Sequence, residues 1–229
     1  MGHEIESAAL ERGHNIVMVI DKDNTSDIDK LDNGEIDAVI EFTLPDSAFE
    51  NIIKCLRLGI PVVSGTTGGW MKDLDKAEQA CLEHGTSFIH STNFSIGVNI
   101  LFRLNMLMAE YVGKYTAYSP AIEERHHVKK IDAPSGTAIT LAGDISRLVG
   151  RYKGWRFSDD EGDDFIPIRS IREGFVPGTH MVTWDSGVDT LSLRHEAKSR
   201  RGLALGAVMA AEFISARKGV FTMGDVLGF

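Results

Sequence analysis

The sequence predicts an α/β chain: a doubly wound parallel sheet in its front part, then an α+β unit built on an open mixed sheet. Three patterns carry the prediction. Between residues 36 and 90, short apolar runs alternate with helix-period segments across short loops, the order that winds a parallel sheet with helices on both faces. Between residues 167 and 197, three stretches alternate apolar and polar residues and are separated by Gly174, Gly178 and Gly187, as in an antiparallel meander with one open face. A leucine- and methionine-rich helical pattern at 96–111 lies between these regions, and its methionines read as core filler.

Taken in order, residues 3–12 place Ile5, Ala8, Ala9 and Arg12 at helical spacing, with Gly13 as the stop. Residues 15–20, NIVMVI, read as a buried strand that ends at Asp21 and Lys22. A helix opening at a glycine, here Gly2, and leading to a strand that ends in an acid is the second half of a Rossmann-like dinucleotide-binding unit. In such a unit the acid takes the adenosine ribose hydroxyls. The first strand and most of the glycine-rich turn have no counterpart, so the sheet is expected without its opening strand. Either the start is set too late or trimmed, or part of the phosphate loop is lost.

Residues 26–34 form a polar loop or irregular helix, and 36–42 a strand. Residues 46–58 then form a helix with Phe49, Ile52, Ile53 and Leu56 on one face and Gly59 as its cap. A strand at 61–64, the loop GTTGG at 65–69, a helix at 73–84 and a strand at 87–90 complete the parallel pattern. Ligands bind such sheets at the carboxyl ends of strands, which places Asp21, Thr43, GTTGG and the Asn93 segment on one edge. Further on, residues 117–124 are expected as a strand, 137–149 as a helix, 151–164 as an exposed loop, 167–172, 179–185 and 190–197 as strands, and 201–218 as a last helix. The expected domains are 1–94 with 203–229 for dinucleotide binding, and 95–202 for substrate binding and oligomerisation.

Composition narrows the function. A chain of 229 residues with 43% hydrophobic and 25% charged residues is ordinary for a globular protein, and no apolar run reaches membrane-spanning length. The first residues lack the features of a signal peptide, so a cytoplasmic location is expected. Cys55 and Cys81 sit in helical patterns as buried reduced thiols. A net charge of −9 argues against general nucleic-acid binding. Against that acidic background, Arg125, Lys129 and Lys130 cluster beside His126 and His127, which points to an anionic ligand and to proton transfer near neutral pH. Immediately after them, Ser135, Gly136 and Thr137 open a helix whose free amides and hydroxyls suit a carboxylate. A solvated histidine loop and a plain helix cap are the ordinary explanations of these features taken singly.

Together, HHVKKIDAPSGTA resembles the signature of the 4-hydroxy-tetrahydrodipicolinate reductases, also called dihydrodipicolinate reductases. GTTG at 65–68 and TNFSIGVN at 92–99 resemble two further motifs of that family, in the same order, and the likeness covers the chain except for the absent start. The resemblance implies reduction of a cyclic imine dicarboxylate in the diaminopimelate route of lysine biosynthesis. Hydride would come from NADH or NADPH, and His126 would act as general acid. It further implies that Lys130 assists by stabilising charge and lowering the histidine pKa, and that His127, Ser135, Gly136, Thr137 and Thr67 bind substrate. The implied cofactor contacts are Gly2, Asp21, Lys22, Phe42, Thr43, Gly65, Thr67, Thr92, Asn93 and Phe94, while Leu44 replaces a basic residue common in the family. A homotetramer through the substrate-domain sheet is also implied.

Two rival classes remain. A reductase-derived binding protein with weakened cofactor grip would follow from the shortened glycine loop. A metal hydrolase would use His126, His127, His180 and His195, but adjacent strand histidines point apart, no HExxH or CxxC spacing occurs, and no metal is expected. His180 and His195 read as plain strand residues.

Overall fold

The computed structural model describes residues 1–229. In chain order it forms α1 (Gly2–Glu11), β1 (Val39–Glu41), α2 (Pro45–Arg57), β2 (Val62–Ser64), α3 (Leu74–Glu83), β3 (Ser87–His90), α4 (Ile96–Val112), β4 (Ser119–His126) and α5 (Gly136–Leu148). Then come β5 (Trp155–Phe157), β6 (Ile166–Arg172), β7 (Thr179–Asp185), β8 (Thr190–Glu196), α6 (Arg201–Ser215), β9 (Gly219–Phe221) and α7 (Met223–Leu227). The chain divides into two units, one of Met1–Ile96 with Arg201–Phe229 and one of Gly97–Arg200. No helix is long and apolar enough to cross a membrane.

The first unit is a parallel sheet in the order β1-β2-β3-β9. Successive residues of a strand face opposite sides, so Val62 and Phe88 pack toward α2 and α3, while Val63 and Ile89 pack toward α6. Apolar residues on both faces are what a doubly wound, Rossmann-like sheet needs. Pro45 starts α2 at a position where its missing N–H costs nothing, and Gly59 leaves that helix at φ +77°. Gly206 lets α6 approach the main chain: a Cβ there would lie 1.7 Å from the Phe94 carbonyl oxygen.

Two expectations fail in this unit. Residues 15–20 form no strand, and Val17 and Val19 are more than half exposed. Apolar character alone does not make a ladder: β1 pairs only with β2, and no strand lies beside 15–20 to take its backbone groups. The final helix stops at Ser215, and the chain adds β9 to the sheet, with Gly219 opposite Ser87. A three-residue strand carries too little pattern to be read in advance.

The second unit is a mixed sheet in the order β5-β6-β4-β7-β8. Ile122, Ile166, Ile168, Val182 and Trp184 face a core shared with Leu101 of α4 and with Leu141 and Ile145 of α5. The predicted meander is corrected here, because β4 lies between β6 and β7, parallel to the first and antiparallel to the second. Alternation identifies a strand but not its neighbour. The connection from β6 to β7 bonds to the end of β4 instead: Glu173 N–H donates to the His126 carbonyl at 2.9 Å, and His127 N–H donates to that of Val176 at 2.8 Å. The expected loop at 151–164 contains β5, whose Trp155 packs against the core.

Candidate active site

Strand β4 alternates strictly, burying Ile122, Glu124 and His126 on the helix side of the sheet. Antiparallel pairing sets His180 of β7 directly opposite Glu124. The Glu124 carboxylate is fully buried and is held from two sides. Arg172 Nη2 donates to Oε1 at 2.9 Å, and the Ser135 N–H donates to Oε2 at 3.0 Å. Burial by itself would push this carboxyl up, but the bonds from Ser135 and Arg172 outweigh it and hold the group below the usual carboxylate range. Arg172 also donates to the Asp132 carbonyl at 2.6 Å, which ties the loop after β4 to the sheet.

His126 is the last residue of β4 and is 7% exposed. Its Nδ1 lies 3.5 Å from Glu124 Oε2 and has no hydrogen-bond partner, and its ring meets His180 edge-on with centroids 5.1 Å apart. Burial lowers its pKa to about 4; Glu124 opposes that shift, whereas Lys130 and Arg172 reinforce it. At neutral pH this imidazole is therefore uncharged, and the contact with Glu124 is not yet an ion pair. Burial takes His180 down to about 3. A Cβ on Gly178 would sit 3.1 Å from His126 Nε2, so only glycine leaves that nitrogen uncrowded.

The other motif residues follow this histidine in the chain. Lys130 Nζ donates to both carboxylate oxygens of Asp132 at 2.8 Å, so its charge is shared with an acid of the same motif. His127 leaves the strand, with its ring Nδ1 buried and unpartnered. Ser135 is the N-cap of α5: its Oγ accepts from the Ala138 N–H at 3.3 Å and lies 3.1 Å from His180 Nε2. Its amide and hydroxyl thus both have partners within the chain. Gly136, exposed, and Thr137 form the first turn of the helix.

Glu124, His126 and His180 offer ligand atoms within 4.8 Å of one another, a spacing that can hold a metal ion. Arg172 on the same carboxylate, with Lys130 near His126, makes this a poor place for a cation.

In the first unit the loops after β1, β2 and β3 share the carboxyl edge of the sheet. A buried acid at the end of β1 ties the first two together. Glu41 accepts from Ser64 Oγ at 2.6 Å, from Thr66 Oγ1 at 2.8 Å and from the Thr43 N–H at 2.9 Å, and the Thr43 hydroxyl also bonds to it. Gly65 is obligatory, since a Cβ would fall 2.2 Å from the Phe42 ring. Thr67 and Thr92 are exposed on this edge and Asn93 is half-buried. Phe94 is in the core, its ring tilted against Phe42 at 5.8 Å, so only its backbone can meet a ligand. Asp21 follows no strand: its Oδ1 accepts the Asp23 N–H at 2.8 Å in an exposed turn, with Lys22 exposed beside it. Gly2 stands in the first turn of α1, where a Cβ would meet nothing.

Sequence reasoning missed Glu124, Arg172, His180 and Glu41. Strand parity was the available signal, because Glu124 sits two residues before His126 and so shares its face.

Residues 1–94 match the family model described as dihydrodipicolinate reductase, N-terminus, and residues 97–227 the one described as dihydrodipicolinate reductase, C-terminus. A 4-hydroxy-tetrahydrodipicolinate reductase of Christiangramia forsetii is 47% identical over 227 residues, 99% of this chain and 93% of that protein. One from Methanopyrus kandleri is 38% identical over 200 residues, 84% of this chain and 72% of that protein. Among solved structures, a dipicolinate-bound dihydrodipicolinate reductase from a Paenisporosarcina species shares the fold, with a TM-score of 0.75 at 21% identity over 96% of this chain and 92% of that one.

Proposed function

The chain belongs to the dihydrodipicolinate reductase family, an oxidoreductase of lysine biosynthesis that binds a pyridine nucleotide, and from that premise we propose how its residues carry the reaction. The substrate is 4-hydroxy-tetrahydrodipicolinate, a cyclic compound bearing two carboxylates that becomes a conjugated imine on losing water. The coenzyme, once bound, supplies hydride to one end of the conjugated system.

His126 then supplies a proton to the neighbouring carbon that shares the electron pair with the ring nitrogen, so that the C=N bond re-forms, and Lys130 keeps the surroundings positive as negative charge builds up. Gly136 and Thr137 receive one substrate carboxylate at the start of α5, where the helix dipole favours an anion. His127 receives the other carboxylate. A second anionic group near His126 favours its charged form, so a histidine that is neutral in the free chain acquires its proton as substrate binds.

The observation that carries this reading is the buried His126, set beside the Glu124 carboxylate that also accepts from the Ser135 amide at the cap of α5, in a chain that matches the family at both ends. The match across residues 1–94 disfavours the reading as a binding protein without cofactor. Asp21 suits the ribose diol of NADH and Lys22 the extra phosphate of NADPH, so both coenzymes are accepted.

Following coenzyme oxidation with 4-hydroxy-tetrahydrodipicolinate tests the function. Turnover with either nucleotide is expected, and its absence with both would overturn the reading. Asp21→Ala should move the preference toward NADPH. The face of the second unit's sheet away from α4 and α5 carries Ala121, Met181 and Thr183, half-buried with no helix over them. Four copies joining through that face make the assembly, which light scattering should report as tetramer mass. Two buried free thiols, Cys55 and Cys81, suit the reducing cytoplasm.

A further inference from the structure

Resting on the reduction described above, we infer that Glu124 is the positioning residue of the proton donor. Its buried carboxylate faces Nδ1 of His126, selecting the tautomer and ring orientation that leave Nε2 as the atom delivering the proton.

An ordinary structural ion pair with Arg172 would need only one edge of the carboxylate. Arg172 engages Oε1, whereas Oε2 takes the Ser135 amide and turns toward both imidazoles, 3.5 Å from His126 Nδ1 and 3.8 Å from His180 Nε2. His126 Nδ1 is buried and has no other partner, so a proton on it has only this oxygen to approach. At 3.5 Å the contact exceeds a hydrogen bond, and such contacts commonly tighten when the donor becomes charged.

The carboxylate cannot swing away, because Arg172 and the cap of α5 hold it from the other side. His180 crosses the His126 ring edge-on and is itself located by Ser135 Oγ, so the donor ring is packed as well as paired. On the far side, Gly178 keeps side-chain atoms off Nε2. The charged and titratable groups around His126 are Glu124 on its own strand, Arg172 on β6, His180 on β7, and Lys130 with Asp132 in the loop after β4. Among them only the two acids favour the imidazolium, and Asp132 is chelated by Lys130.

The proton step then balances. The Nε2–H bond of the imidazolium breaks as a C–H bond forms on the substrate carbon that received the electron pair after hydride addition. The ring is left neutral with its Nδ1–H toward Glu124, and Nε2 is reprotonated from water.

Nitrogen-15 NMR of histidine-labelled full chain reads the tautomer directly. A neutral His126 carrying its proton on Nδ1 is expected, and the Nε2–H tautomer would overturn the inference. In Glu124→Gln, which keeps shape and loses charge, kcat should fall roughly 10- to 100-fold, within the worth of a positioned acid, with KM little changed. Because the carboxylate favours the charged imidazole, the alkaline limb of kcat should also move to lower pH. Glu124→Asp should restore part of both effects. A folded Glu124→Gln chain with parental kcat and an unmoved limb would overturn the inference. If that variant does not fold, the tautomer of the unsubstituted chain decides. Absence of turnover in the parent would instead sink the reductase reading and leave the tautomer result standing.

Discussion

Replacing Arg172 by leucine tests whether the buried carboxylate network holds the second unit together. Glu124 is fully buried and Arg172 keeps 19% of its side chain exposed, so the substitution strips a buried carboxylate of its cation and leaves it the Ser135 amide bond. Breaking a buried pair by removing one partner costs about 3–5 kcal/mol, and the partial exposure of Arg172 places this case near the lower end, about 3 kcal/mol. For a chain of this size each kcal/mol moves the melting temperature by roughly 2–4 °C, so a fall of about 6–12 °C is expected at neutral pH.

The pH dependence has a definite sign. Glu124 in the parent has its pKa held down, so it contributes stability above the ordinary carboxylate pKa and loses it as pH falls through the depressed value. In the variant the Arg172 contribution is gone, burial is opposed chiefly by Ser135, and the carboxyl takes up a proton more readily. The gap between the two proteins is therefore widest at neutral pH and narrows toward acid. Thermal melts across that range, followed by the fluorescence of the fully buried Trp184, measure it. A gap under about 1 kcal/mol, the range of an exposed pair, or one that widens on acidification, would refute the reasoning.

Other outcomes follow from the same geometry. His126→Gln should depress turnover by about 100-fold or more while leaving NADH affinity intact, measured by steady-state rates and fluorescence titration. Because His126 is neutral at pH 7 in the free chain, binding of dipicolinate as a dicarboxylate probe should take up a proton; calorimetry in buffers of different ionisation heat reads this, and zero uptake would count against the scheme. Gly65→Ala places a Cβ 2.2 Å from the Phe42 ring, so it should destabilise the chain by about 1–3 kcal/mol and weaken coenzyme binding.

How much of this was legible beforehand depended on whether the signal was local. The alternation of strand and helix from 36 to 90 is written in consecutive residues, and the parallel sheet follows it closely. The HHVKK and PSGT segments likewise announce a histidine cluster and a helix start within a few positions. Glu124 and Arg172 lie 48 residues apart and meet only because β4 and β6 are parallel neighbours, a register that alternation cannot supply. Both read as solvated charges until the pairing is known. His180 looked like a strand residue for the same reason: its importance comes from standing opposite Glu124. Residues 15–20 show the converse error, in which a strong apolar pattern lacks the neighbouring strand that would turn it into structure.

The most direct test of the central claim uses coenzyme deuterated at the transferred position, with 4-hydroxy-tetrahydrodipicolinate as substrate and mass spectrometry of the product. The account predicts one deuterium in the product for each coenzyme oxidised, and a second, on a different carbon, when the solvent is deuterated as well. Coenzyme oxidation without transfer of label to the product, or no oxidation above background, would contradict it.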